Sequence, residues 1–131
     1  MSVSHLENSP QPEGELSIQT IAMPSNTNTT GDIFAGWLVS QMDLAGSVAA
    51  VRISRGRVAT VAMDGMAFLT AVHVGAIVSC YTQVLEVGRS SIQIGIEVWI
   101  NDRETFQPVK VTECCFVYVS IDDKGRTRAI R

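Results

Sequence analysis

The stretch from residue 33 to about residue 54 constrains this chain more than any other, because it has helical spacing but no obvious wet side. Phe34, Trp37, Leu38, Val39, Met42, Leu44, Val48, Val51 and Ile53 go most of the way round a helical surface. A helix that is apolar on nearly all sides is buried on nearly all sides. Asp32 precedes it as a good N-cap, and Gly56 stands just past its end. One narrow line differs. Gly36, Ser40, Asp43 and Ser47 are spaced by four, three and four residues, so they share one face. A small, polar stripe on such a helix is where something other than core can approach.

The rest of the chain reads as strand. Residues 15–21, 58–63, 77–87, 90–101 and 109–121 carry β-rich or alternating patterns, with a short tail strand expected after the turn at 122–125. The clearest run sets Ile92, Ile94, Ile96, Val98 and Ile100 against Gln93, Gly95, Glu97 and Trp99. Residues 24–31 are rich in turn formers and read as a loop, and His73-Val-Gly75 reads as a turn. The expected architecture is α+β: an antiparallel β-sheet wrapped around one long central α-helix. Residues 15–131 form one domain in this reading, behind a flexible, polar lead-in at 1–14. A chain of 131 residues cannot cover such a helix by itself. The surplus apolar surface implies another subunit, and hence a homo-oligomer.

Charge narrows the function classes. The formal net charge is −3, and all ten basic residues lie at Arg52 or later. No Lys/Arg cluster forms, which makes nucleic acid a poor partner. An Arg-rich transit peptide and a secretory signal are both excluded by the early sequence. No apolar run is long enough to span a membrane, so a soluble, cytoplasmic protein is expected. Cys80, Cys114 and Cys115 fit that compartment as reduced thiols on strands. Their spacing with His5 and His73 gives no metal-ligand set, and no cofactor motif is present.

Asp43 is the strongest chemical signal. A carboxylate on an apolar helix needs a partner or a task. The nearest cation in sequence is Arg52, nine residues on. A carboxylate desolvated without a cation beside it becomes a better proton acceptor near neutral pH. Its structural reading is a hydrogen bond to Ser40, Ser47 or nearby backbone. Asp32 is chiefly a cap, but the free amides behind it, with Gly36 allowing close approach, suit a developing oxyanion. Gly88-Arg89-Ser90-Ser91 reads first as a hairpin turn. Its guanidinium and two hydroxyls also suit a phosphate.

Taken together, Ala22-Met-Pro-Ser-Asn-Thr-Asn28, Gly31-Asp-Ile-Phe-Ala-Gly-Trp37 and Ser40-Gln-Met-Asp43 resemble the bacterial YciA-type acyl-CoA thioesterases of the hotdog superfamily. The likeness continues through Gly56-Arg57-Val58, Phe68, Val74-Gly75, Val87-Gly-Arg-Ser-Ser91 and Ile96-Glu-Val-Trp99. It implies a hotdog fold paired into dimers, commonly a trimer of dimers, with active sites between subunits. The implied reaction is hydrolysis of an acyl-CoA to a carboxylic acid and free coenzyme A, which is substrate and product rather than cofactor. The resemblance assigns Asp43 as general base or nucleophile, with Asp32 and Gly36 completing the catalytic set. Asn28, Ala35, Arg89, Ser90 and Ser91 would bind substrate. Relatives carry glycine at Ala35, proline at Ala71 and aspartate at Ala76. The alternative is a non-catalytic acyl-CoA sensor, against which the short, polar lead-in argues. A hotdog dehydratase would need a histidine near the helix, and the helix has none.

Overall fold

The computed structural model describes residues 11–130. The expected lead-in therefore lies outside the described residues as far as position 10. Strand β1 (Glu15–Ile21) is followed by a 3-10 turn at Pro24–Asn26 and by the long helix α1 (Ala35–Ser54). Then come β2 (Val58–Met63), β3 (Ile77–Val87), β4 (Ser91–Asn101) and β5 (Pro108–Ser120). They form one antiparallel sheet in the order β1-β3-β4-β5-β2, and α1 packs across all five strands. Each of the four strand pairs carries a register irregularity, at Leu16/Ile18, Thr60/Ala62, Val84/Glu86 and Val98/Trp99. Bulges bend and overtwist a strand. Four of them let the sheet curl over the helix.

The core sits in that curl. Leu38, Met42, Ala45 and Ala50 of α1 meet Val78 and Cys80 of β3, Ile92, Ile94, Ile96 and Val98 of β4, and Phe116 and Tyr118 of β5. The alternation of β4 thus holds, with Ile100 also packed against this core. Trp99, 5 % exposed, lies on the other face beside Glu97, to whose Oε1 its indole N–H donates at 2.7 Å. The opposite side of α1 stays open in the single chain: Leu44 is 56 % exposed, and Val48 and Val51 are also exposed. One chain thus leaves part of the apolar helix uncovered, as expected for a chain of this length.

Two expectations about the ends of the helix need correction. Asp32 is not its N-cap: the cap is Phe34, with no side-chain cap bond. Asp32 and Ile33 are held extended, Asp32 in a bridge to His73 and Ile33 by its N–H to the Val72 carbonyl at 2.9 Å. At the other end the helix stops at Arg55, in the left-handed region at φ 57°. Gly56 behind it serves packing, since a Cβ there would fall on the Arg128 guanidinium. That guanidinium donates to the Ser54 carbonyl (3.1 Å) and hydroxyl (2.9 Å), closing the last turn. The expected tail strand reduces to a single bridge, Ile121 to Thr127. Among the described residues, no helix is long and apolar enough to cross a membrane.

Candidate active site

Asp43 lies midway along α1 on the stripe the spacing defines, with Gly36 and Ser40 exposed and Asp43 and Ser47 half-buried. Neither Ser40 nor Ser47 satisfies it. The Ser40 hydroxyl turns back to the Trp37 carbonyl at 2.6 Å. The partners come from the sheet instead. Thr60 Oγ1 of β2 donates to Asp43 Oδ1 at 2.7 Å, and Tyr118 Oη of β5 donates to the same oxygen at 3.0 Å. Thr60 and Tyr118 are paired directly across β2 and β5, so the register of two strands delivers both hydroxyls to one atom. Arg52 points away, 3.8 Å from Glu15 on the exposed side. Among the described residues, no ion pair involves Asp43.

A second polar group gathers at the helix start. Asn28 Oδ1 accepts from the Thr30 N–H (2.9 Å), the Thr30 hydroxyl (2.7 Å) and the Asp32 N–H (3.1 Å). This knot shapes the loop that delivers the chain to α1. His73 Nδ1 stands 3.4 Å from Asp32 Oδ1, both partly exposed. With no side chain capping the first turn, the amides of Ala35 and Gly36 are left for another acceptor. A Cβ built at Gly36 would meet nothing within 4 Å. The chain's own packing therefore does not require that glycine.

The third group lies at the far end. Gly88 N–H donates to the Ser91 carbonyl at 2.8 Å, so the segment is the expected hairpin between β3 and β4, with Arg89 exposed. The Ser90 carbonyl accepts from the Ser120 N–H at 2.8 Å, and the Ser120 hydroxyl meets that of Ser54, the last residue of α1, at 2.8 Å. Arg89, Ser90 and Ser91 thus sit beside the C-terminus of a helix roughly 30 Å long. Asn28, Asp32, Ala35 and Gly36 sit at its N-terminus. Asp43 is eight residues from Ala35, roughly 12 Å along the axis. The structure brings four of the eight candidates together and leaves the other two groups apart.

Thr60 and Tyr118 are site residues that sequence reasoning missed. Tyr118 carried a usable signal, since it follows Phe116 in the inward phase of β5, and a buried phenol needs a hydrogen-bond partner. Cys80, Cys114 and Cys115 are all free thiols on strands, and burial pushes the Cys80 thiol up to about 12. Among the described residues, no three His, Cys, Asp or Glu side chains converge as a metal site.

The chain matches the thioesterase superfamily over residues 30–107. It is 46% identical over 123 residues to the acyl-CoA thioester hydrolase YciA of Escherichia coli, a match spanning 91% of this chain and 92% of that protein. A hexameric broad specificity acyl-coenzyme A thioesterase superposes with a TM-score of 0.90 at 45% identity, covering 95% of this chain and 86% of that one. A hexameric hotdog fold thioesterase of Campylobacter jejuni gives a TM-score of 0.84 at 40% identity, covering 90% and 91%.

Proposed function

The chain belongs to the thioesterase superfamily as an acyl-CoA thioester hydrolase of the hotdog fold, and from that premise we propose that Asp43 of one protomer and the helix start of another carry the reaction together. The observation behind this is Asp43 itself, a half-buried carboxylate on an open stripe, fixed at one oxygen and paired with no cation among the described residues. Reacting atoms must come within about 3–3.5 Å of each other. Oxyanion donors must lie about 3 Å from the oxygen they stabilise. A gap of roughly 12 Å between Asp43 and its own helix start is too long for one tetrahedral centre. The uncovered side of α1, with Leu44, Val48 and Val51, supports a second copy packing there and bringing its own helix start to Asp43.

In this reading the amides of Ala35 and Gly36 polarise the thioester carbonyl. The Asn28 carbonyl oxygen is spent within its loop, which leaves the amide NH2 as its group for the substrate. Asp43 takes a proton from water as the water oxygen attacks the carbonyl carbon. The tetrahedral oxyanion then collapses, the C–S bond breaks, and the thiolate of coenzyme A recovers the proton from Asp43. As a nucleophile, Asp43 would instead attack the carbonyl carbon and expel the coenzyme A thiolate as the C–S bond breaks, forming a mixed anhydride that water then cleaves to the free acid and the Asp43 carboxylate. Asp32, with His73 beside it, shapes the loop in front of those amides. Arg89, Ser90 and Ser91 hold the nucleotide phosphates or the pantetheine arm. Side chains and amides suffice for this chemistry, so the reaction calls for no cofactor beyond the coenzyme A of the substrate. We further propose the hexamer found for the solved relatives, as a trimer of dimers. Free thiols support a cytoplasmic setting.

Free-thiol release from a panel of acyl-CoAs tests the reading. Wild type should turn over, while Asp43→Asn and Asp43→Ala should lose about 10³-fold or more in kcat and remain folded. Binding of acyl-CoA by wild type without thiol release would make the chain a sensor.

A further inference from the structure

The two oxygens of Asp43 are treated differently. Both observed donors, Thr60 and Tyr118, act on Oδ1. The Tyr118 ring is fully buried in the core, stacked with Phe116 at a centroid distance of 6.3 Å. A phenylalanine would fill that space equally well. The hydroxyl is tolerated there only because it is bonded, since an unpaired buried hydroxyl is costly. It also lies 3.2 Å from the Asp43 carbonyl oxygen, so it contacts both the side chain and the backbone of that residue. The helix makes room for it: a Cβ at Gly46 would fall on the hydroxyl oxygen. A phenol, a directly opposed threonine and a glycine on the facing helix thus converge on one carboxylate oxygen.

We propose that Tyr118 is a positioning residue, whose buried hydroxyl fixes Oδ1 of Asp43 so that Oδ2 is the oxygen presented to the reacting water or carbonyl. This rests on the reading of Asp43 as the reactive carboxylate. Burial first, then the charge and hydrogen bond of Asp43, push the Tyr118 phenol well above its ordinary range. It therefore remains a proton donor throughout the working pH range. Thr60 of β2, Tyr118 of β5 and Ser47 of α1 are the groups facing this point, and none carries a charge there.

Removing the hydroxyl frees Asp43 to rotate, and small misplacements of a reactive group cost up to about 10²-fold in rate. Tyr118→Phe should therefore lower kcat by about 10- to 100-fold while KM for acyl-CoA stays within about twofold. The acid limb of its kcat profile should move to higher pH, because the ionised carboxylate loses a donor. A hydroxyl that served the fold alone would leave that limb in place. The chain has only two tyrosines, Tyr81 and Tyr118. Fluorotyrosine incorporated in a Tyr81→Phe background thus probes Tyr118 with its shape retained, even where Tyr118→Phe does not fold. Its stronger donor should move the acid limb to lower pH. Full activity in Tyr118→Phe, or an acid limb unmoved in both proteins, overturns the proposal. Asp43→Asn, assayed in parallel, separates the two claims. Its inactivity beside an unaffected Tyr118→Phe would refute only the positioning role, whereas its retained turnover would refute the reading of Asp43 as well.

Discussion

Two glycines of the same helix, ten residues apart, stand in opposite surroundings. Gly46 faces the core, where an added methyl would collide with the Tyr118 hydroxyl and press on Ile96 Cδ1 at 2.7 Å. Gly36 faces open space. The residues around them follow suit. Asp43 is held from inside by two strands, whereas the helix start is held by a surface loop knotted on Asn28 and by the partly exposed pair of Asp32 and His73. On the proposed mechanism, the reactive carboxylate is therefore oriented by its own chain before any partner arrives. The group that would stabilise the oxyanion is left open for what approaches from outside. One half of the proposed machinery would be a product of folding, and the other would be completed by association and by substrate.

That contrast can be broken by the same substitution at both positions. Gly46→Ala should cost about 1–3 kcal/mol of stability through overpacking, with a kcat loss that follows the displaced hydroxyl. Gly36→Ala should leave the unfolding midpoint nearly unchanged yet lower kcat by about 10²-fold, because the methyl occupies the oxyanion's approach. Urea midpoints and thiol-release assays on both variants decide it. Equal losses of stability at both positions would erase the distinction. Next in size, Arg89→Ala should raise KM by about tenfold and lower kcat less, as expected for a group that binds the distant end of the substrate. A fall confined to kcat would remove Arg89 from substrate binding.

The smallest effect concerns the core alone. The raised Cys80 thiol favours the folded state while it stays protonated. That contribution is fully present below about pH 9, where an unfolded thiol would begin to ionise, and is lost as pH rises toward about 12. Urea midpoints of wild type should therefore fall across the accessible part of that window more steeply than those of Cys80→Ala. Parallel slopes would show that burial of this thiol does not contribute.

Much of this was legible in advance, for local reasons. β1, β2 and β3 have the expected limits because their alternation is bounded by turn formers. The stripe on α1 follows from helical geometry alone. What was not legible is long-range. Trp99 is buried on the outward phase of β4, bonded to Glu97, which its alternation alone does not indicate. Asp32 fails as a cap because His73 and Val72 hold the preceding backbone extended, forty residues away in sequence. The bonds that orient Asp43 arise from the pairing of Thr60 with Tyr118, and that register cannot be read from either strand by itself. Arg128 closes the helix from the end of the chain, where no local pattern marks it.

The central claim is that each site joins the Asp43 of one protomer to the helix start of another, and subunit mixing tests it most directly. Asp43→Asn and Gly36→Ala chains, each carrying a different tag, would be co-expressed in equal amounts and the mixed assemblies assayed for thiol release. If the site is shared, half of randomly paired dimers are mixed, and each mixed dimer has one site free of both substitutions, so activity should recover to about a quarter of wild type. If the site lies within one chain, every site carries a defect, and the mixture would release no more thiol than the average of the two variants.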